Sequence, residues 1–127
     1  MSTFTTAIGI DFGGTSVKSA VVRDGKVIHR AEPMDPQAAP NSDALLDSLV
    51  DMVAGMRADF PDIAGVGIGL PGFVDWDRGV LHELTNVPGW NDLPLRDILH
   101  ERTGLPIAIE NDANAMAYAE YLSLIHI

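Results

Sequence analysis

Three groups of residues in this chain combine the types that bind ligands. They are Asp11 with Gly13, Gly14 and Thr15; Gly69 with Pro71 and Gly72; and Glu110, Asn111, Asp112 and Asn114. Each follows an apolar run that reads as a strand, and strand ends in an α/β sheet are where ligands sit. Three such ends together make a pocket. The stretch "IDFGGTSV", residues 10–17, sets the chemical question most sharply. Two adjacent glycines suit a tight strand-to-strand turn, or equally a loop whose bare backbone lets phosphate oxygens reach main-chain N–H groups. A plain hairpin needs the glycines but has no use for the acid ahead of them.

The elements that must position these groups follow from period and punctuation. "TTAIGID", residues 5–11, reads as a buried strand, and "SVKSAVVR" alternates as a second. Asp24-Gly25 is the dipeptide of a two-residue type I′ hairpin, after which "KVIHRAE" returns as a third strand. Three prolines in residues 33–41 mark a loop, with Asn41 or Ser42 as a cap. Leu45, Leu46, Leu49, Val50, Met52, Val53 and Met56 then recur at helical spacing, predicting an amphipathic helix over residues 43–58. "IAGVGIGLPG", residues 63–72, is a strand with glycine at 65, 67 and 69, so one of its faces carries no side chains and something packs closely there. Residues 73–92 read as an irregular excursion around a short "VLHEL". Pro94 opens a second helix, "PLRDILHERT", which Gly104 stops; "LPIAIE" is a further strand; and Asn111 caps a third helix, "NDANAMAYAEY". The order βββαβαβα mixes hairpins with crossovers and predicts an α/β domain with a five-stranded mixed sheet and helices on both faces.

Composition narrows the function classes. The 127 residues suffice for one core, and 46% hydrophobic with 20% charged residues is ordinary globular usage. A net charge of −10 with only eight Lys and Arg repels nucleic acid and anionic membrane. Any bound phosphate must therefore be held locally, by main-chain dipoles and a metal cation. With no cysteine, disulfides and thiolate zinc sites are excluded from this chain. The opening residues carry no basic, apolar leader pattern, and no run approaches 18 apolar residues, so a cytoplasmic protein is expected. His29, His82, His100 and His126 are scattered without metal-ligand spacing. "GIGLPG", residues 67–72, matches G-x-G-x-x-G after a strand, but Pro71 and the turn signals beyond it replace the helix that would hold a dinucleotide's pyrophosphate.

"IGIDFGGTSVKSAVV", "GVGIGLPGFVD", "TNVPGW" and "IENDANAMAYAE" together resemble the N-terminal half of the ROK (repressor, open reading frame, kinase) sugar kinases, over residues 7–121. These are the glucokinase-like branch of the actin and hexokinase superfamily. The resemblance implies an actin-like, ribonuclease H-like ATPase domain over residues 1–121, ATP and Mg²⁺ as cofactors, and a hexose as substrate. It places Gly13, Gly14 and Thr15 against the β and γ phosphates of the donor and has Asp11 hold Mg²⁺, through water. Lys18 is either a phosphate counter-charge or a solvated surface lysine. Asp112 takes the role of general base on the sugar hydroxyl, and Asn111 hydrogen-bonds the sugar. Read from mechanics alone, an acid in the first turn of a helix also complements the macrodipole, and Asn111 alone would cap it. Gly72, Thr85 and Asn86 are weaker sugar-site candidates, equally readable as turn residues. Glu110 and Asn114 read as structural supports, and Trp76 and Trp90 as loop cover.

The family's second domain, with its zinc site and adenosine pocket, has no counterpart in these residues, and "LSLIHI", residues 122–127, departs from the family's continuation. A kinase of this type closes two domains over its substrates to exclude water. The expectation is a homodimeric or larger full-length kinase, and a 127-residue piece that is inactive alone and poorly soluble through Tyr121, Leu122, Leu124 and Ile125. The alternative is a sugar-sensing regulator of the same family, which binds sugar without catalysis. Polyphosphate in place of ATP, and the identity of the hexose, stay open.

Overall fold

The computed structural model describes residues 6–12, 16–38, 41–70, 73–75, 78, 80–83 and 91–110. The first three strands are β1 (Thr6–Phe12), β2 (Val17–Arg23) and β3 (Lys26–Arg30), joined as antiparallel neighbours. Asp24 and Gly25 have φ of 51° and 77°, the paired left-handed geometry that the Asp-Gly dipeptide predicts for this hairpin. A single turn of 3₁₀ helix at Pro36–Ala38 and a bridge between Val17 and Met34 punctuate the proline-rich loop. Helix α1 (Ser42–Asp59) follows, with the Asn41 side chain accepting from Ala44 N at 2.8 Å as its cap. Strand β4 (Ile63–Gly69) then lies parallel to β1.

Residues 73–92 depart from the expected irregular excursion. They include a second sheet of three short antiparallel strands, β5 (Phe73–Asp75), β6 (Val80–Glu83) and β7 (Asn91–Leu93). Strands of three or four residues show too few alternations to stand out from turn composition. Helix α2 (Leu95–Thr103) begins after Pro94 and ends at Gly104, whose φ of 76° is the left-handed stop that glycine favours. Strand β8 (Ile107–Glu110) closes the main sheet, whose order is β3-β2-β1-β4-β8.

Alternation along the strands divides this sheet into two unlike faces. One carries Ile8, Ile10 and Phe12, Val17 and Val21, Val66 and Ile68, Ile107 and Ile109, all buried and clustered with Leu45, Leu49, Val53 and Met56 of α1 and Leu95 and Leu99 of α2. Ser19 lies on this face too and donates to the Met52 sulfur at 3.1 Å, so its buried hydroxyl is satisfied. Arg102 reaches Asp47 at 2.7 Å and Arg57 reaches the Thr103 carbonyl at 2.7 Å, lashing the two helices together. The other face carries Ala7, Gly9 and Asp11, Lys18, Ala20 and Val22, and Gly65, Gly67 and Gly69; all are buried except the half-buried Asp11 and the exposed Lys18. Both described helices cover the first face. The third helix, expected from Asn111 onward, lies outside the described residues, as do residues 122–127.

A polar cluster ties the sheet at the end away from Asp11. The Thr6 hydroxyl, fully buried, donates to Asp62 at 2.5 Å, while Arg23 donates to Thr6 and forks onto both Asp62 oxygens at 2.8–3.0 Å. Arg23 also lies over the Phe60 ring, 5.8 Å from its centre. Burial pushes the Asp62 carboxyl up, but hydrogen bonds from Thr6, Arg23 and its own backbone, with the Arg23 charge, outweigh it, and the net direction is below the ordinary 3.8. A carboxyl lowered on folding contributes stability that is present above its unfolded value and fades as pH falls through the folded one. The stability gap between the parent and Asp62→Asn, read from urea midpoints, should therefore be constant above about pH 5 and close below the ordinary 3.8. A gap that widens on acidification would contradict this sign.

Candidate functional site

Register places three strand exits side by side. Asp11 of β1 pairs with Gly69 of β4, and Gly69 pairs with Glu110 of β8, all three strands running parallel. Their C-terminal ends therefore form one rim. Neighbouring strands lie about 4.8 Å apart, so the backbones of Asp11 and Glu110 are separated by two spacings, about 10 Å. That span suits a phosphoryl group passing between what the two ends hold. In the sequence, residues 13–15 come next after β1, Pro71 and Gly72 shortly after β4, and Asn111 and Asp112 directly after β8.

Of the predicted site residues, the described structure contains Asp11 and Lys18, and they are direct cross-strand partners. In an antiparallel pair such partners share a face with Cβ atoms about 5 Å apart. Lys18 is exposed and Asp11 half-buried, with its Oδ1 oxygen sealed from solvent. An exposed ammonium beside a half-sunk carboxylate at a strand exit can meet an anion together with the cation that accompanies it. Gly13, Gly14, Thr15, Gly72, Thr85, Asn86, Asn111 and Asp112 lie outside the described residues. β1 and β2 are hairpin partners, with Phe12 opposite Val17 and four residues between them.

The donor chemistry fits Mg²⁺. Asp11 offers a hard carboxylate oxygen next to a glycine-rich turn, and Mg²⁺ in phosphoryl-transfer sites takes one or two carboxylates, with donor phosphates and water completing its shell. Among the described residues there is no cluster of three or more His, Cys, Asp and Glu that would form a self-contained metal centre. None of their helices is long and apolar enough to cross a membrane.

Sequence reasoning missed the cluster of Thr6, Arg23 and Asp62. Its members are separated by 17, 56 and 39 positions, and only the pairing of β1 with both β2 and β4 brings them together.

Comparison with known proteins agrees with this geometry. The glucokinase of Halalkalibacterium halodurans is 36% identical over 117 residues, covering 89% of this chain and 35% of that protein. The N-acetylmannosamine kinase of Pasteurella multocida is 34% identical over 116 residues, covering 90% of this chain and 37% of that protein. Among solved structures, a ROK family glucokinase from Streptomyces griseus, in complex with glucose and AMPPNP, superposes with a TM-score of 0.75 at 34% identity. It covers 94% of this chain and 36% of its own. The chain thus spans about a third of the length of the relatives it matches. The actin-like α/β fold with a five-stranded mixed sheet is that of these kinases. With the ROK family profile matching residues 7–124, this chain belongs to the ROK family.

Proposed function

We propose that the full-length protein carrying this chain transfers the γ-phosphoryl group of ATP to a hydroxyl of a hexose. The observation that carries this is the rim: Asp11, Gly69 and Glu110 stand level at three adjacent parallel strand ends, each leading into one of the polar segments that ROK sugar kinases share. The AMPPNP held by the Streptomyces griseus relative supports ATP as donor.

Each residue has a role that its chemistry suits. Gly13, Gly14 and Thr15 present main-chain N–H groups to the β and γ phosphates, and Lys18 adds a positive charge beside them. Asn111 orients the sugar by hydrogen bonds, aided by Gly72, Thr85 and Asn86. Asp112 accepts the hydroxyl proton as that oxygen attacks the γ-phosphorus; the bond to the β-phosphate oxygen breaks and ADP leaves. Phosphoryl transfer asks mainly for alignment and charge stabilisation, so a carboxylate of ordinary pKa serves as base. Mg²⁺, when bound through Asp11, neutralises charge on the donor phosphates.

The kinase works in the cytoplasm as a homodimer or larger assembly, and this 127-residue piece does not turn over by itself, because one half of a two-domain clamp cannot exclude water. Sugar-dependent ADP release tests the phosphoryl transfer and the inactivity of the isolated piece. The full-length protein should turn over glucose, mannose or an N-acetylated hexose at about 1–100 per second, and the isolated piece should fall below detection. Turnover by the piece at the full-length rate would refute the requirement for closure. Tight hexose binding by the full-length protein without ADP release would favour a sensor.

A further inference from the structure

The pairing of β1 with β4 shifts register once, between Thr6 and Ala7: Thr6 lies opposite Ile63, but Ala7 lies opposite Gly65. Ala64, half-buried, is the extra residue of this bulge. Its consequence runs the length of the strand, because partners in register share a face and a one-residue slip exchanges the faces. Had the Thr6 to Ile63 register continued, Ile8 and Ile10 would stand opposite Gly65 and Gly67, and Asp11 would stand opposite Ile68. The observed shift instead matches Ile8 and Ile10 with Val66 and Ile68, puts Gly65, Gly67 and Gly69 on the Asp11 face, and levels Asp11 with Gly69.

The bulge is clamped where it starts. Asp62, immediately before β4, takes the Thr6 hydroxyl and both arms of Arg23, while Arg23 lies opposite Thr6 in the β1–β2 pair. Ile63 N, one residue on, donates to the Phe60 carbonyl at 3.2 Å, and Phe60 carries Arg23 on its ring. Three strand ends and one turn are thereby fixed to each other on one side of Ala64. Arg23 supplies a planar fork that lysine does not reproduce. The carboxylate's two oxygens accept three hydrogen bonds from these partners.

We propose that Thr6, Arg23 and Asp62 are positioning residues: by pinning the bulge at Ala64 they set the β1–β4 register that brings Asp11 level with Gly69 at the opposite end of the sheet. The geometric claim stands on the pairing alone; its catalytic consequence rests on the function proposed above.

Amide hydrogen exchange on the full-length protein tests it. Asp62→Ala should speed exchange tenfold or more in Ile8–Asp11 and Val66–Gly69 relative to the hairpin amides of β2 and β3. Thr6→Val, a near-isosteric change that keeps the fold if Asp62→Ala unfolds it, should give the same pattern more weakly. Arg23→Lys should resemble Thr6→Val. Uniform acceleration across all strands would mean that the cluster only adds stability and would overturn the proposal, as would unchanged exchange in β1 and β4. In the kinase assay, Asp62→Ala should lower kcat at saturating sugar at least tenfold while hexose affinity holds within about threefold. If the parent shows no phosphorylation, the function fails but the exchange pattern still decides the register claim. Selective exchange with an undiminished kcat would overturn the link to Asp11.

Discussion

Asp112→Asn in the full-length protein is expected to lower kcat for hexose phosphorylation by about 10²–10⁴, the range that a positioned general base contributes. Hexose affinity should change little. Asparagine keeps the volume and the hydrogen-bonding reach of aspartate but cannot accept the hydroxyl proton, so binding and chemistry separate. Asparagine at this position also removes an acid from the start of the expected third helix, where interaction with the macrodipole amounts to about 0.3–1 kcal/mol. That structural effect would appear in the unfolding midpoint and would leave a kinetic loss of about a hundredfold or more unexplained. Isothermal titration with sugar, beside initial rates, gives both numbers. Unchanged phosphorylation by Asp112→Asn would remove it as the base.

Asp11→Asn is expected to act on the other substrate. Loss of the carboxylate weakens the hold on a cation that supplies several kcal/mol of charge stabilisation, so kcat/KM for ATP should fall by about a hundredfold or more. The apparent Mg²⁺ requirement should rise with it, and hexose binding should stay as in the parent. Fold stability should change little, since Asp11 is half-buried, its strand partners are Gly69 and the exposed Lys18, and asparagine is isosteric with aspartate. A loss confined to sugar affinity, with ATP and Mg²⁺ dependence unmoved, would contradict the role given to Asp11. The two substitutions thus predict opposite partitions between donor and acceptor.

The sequence made the helices and the main sheet legible because their signals are local. Helix α1 announces itself through Leu45, Leu49, Val53 and Met56 on one stripe and Asn41 at its start. Gly104 marks the end of α2, and Asp24-Gly25 fixes the first hairpin by backbone conformation alone. The three glycines of β4 foretold a face without side chains, which the register then joined to Gly9 and Asp11. What stayed hidden depends on distant partners. Nothing near Ala64 signals a bulge, because the mismatch exists only against β1. Thr6, Arg23 and Asp62 each read as ordinary strand or turn residues until three strands align. The β5–β7 sheet eluded periodicity because its strands are too short to alternate twice. For the candidate site, the strand exits and the pairing of Asp11 with Lys18 are placed by the fold. The roles proposed for Asp112, Asn111 and residues 13–15 come from the family pattern, which spacing alone does not supply.

A crystal structure of the full-length protein with a hexose and a non-hydrolysable ATP analogue would test the shared cleft most directly. The account predicts an Asp112 carboxylate oxygen about 2.6–3.2 Å from one sugar hydroxyl, with that hydroxyl facing a γ-phosphate seated over residues 13–15. A complex with Asp11 and Asp112 on opposite sides of the sheet, or with the sugar bound out of reach of the donor phosphate, would contradict it.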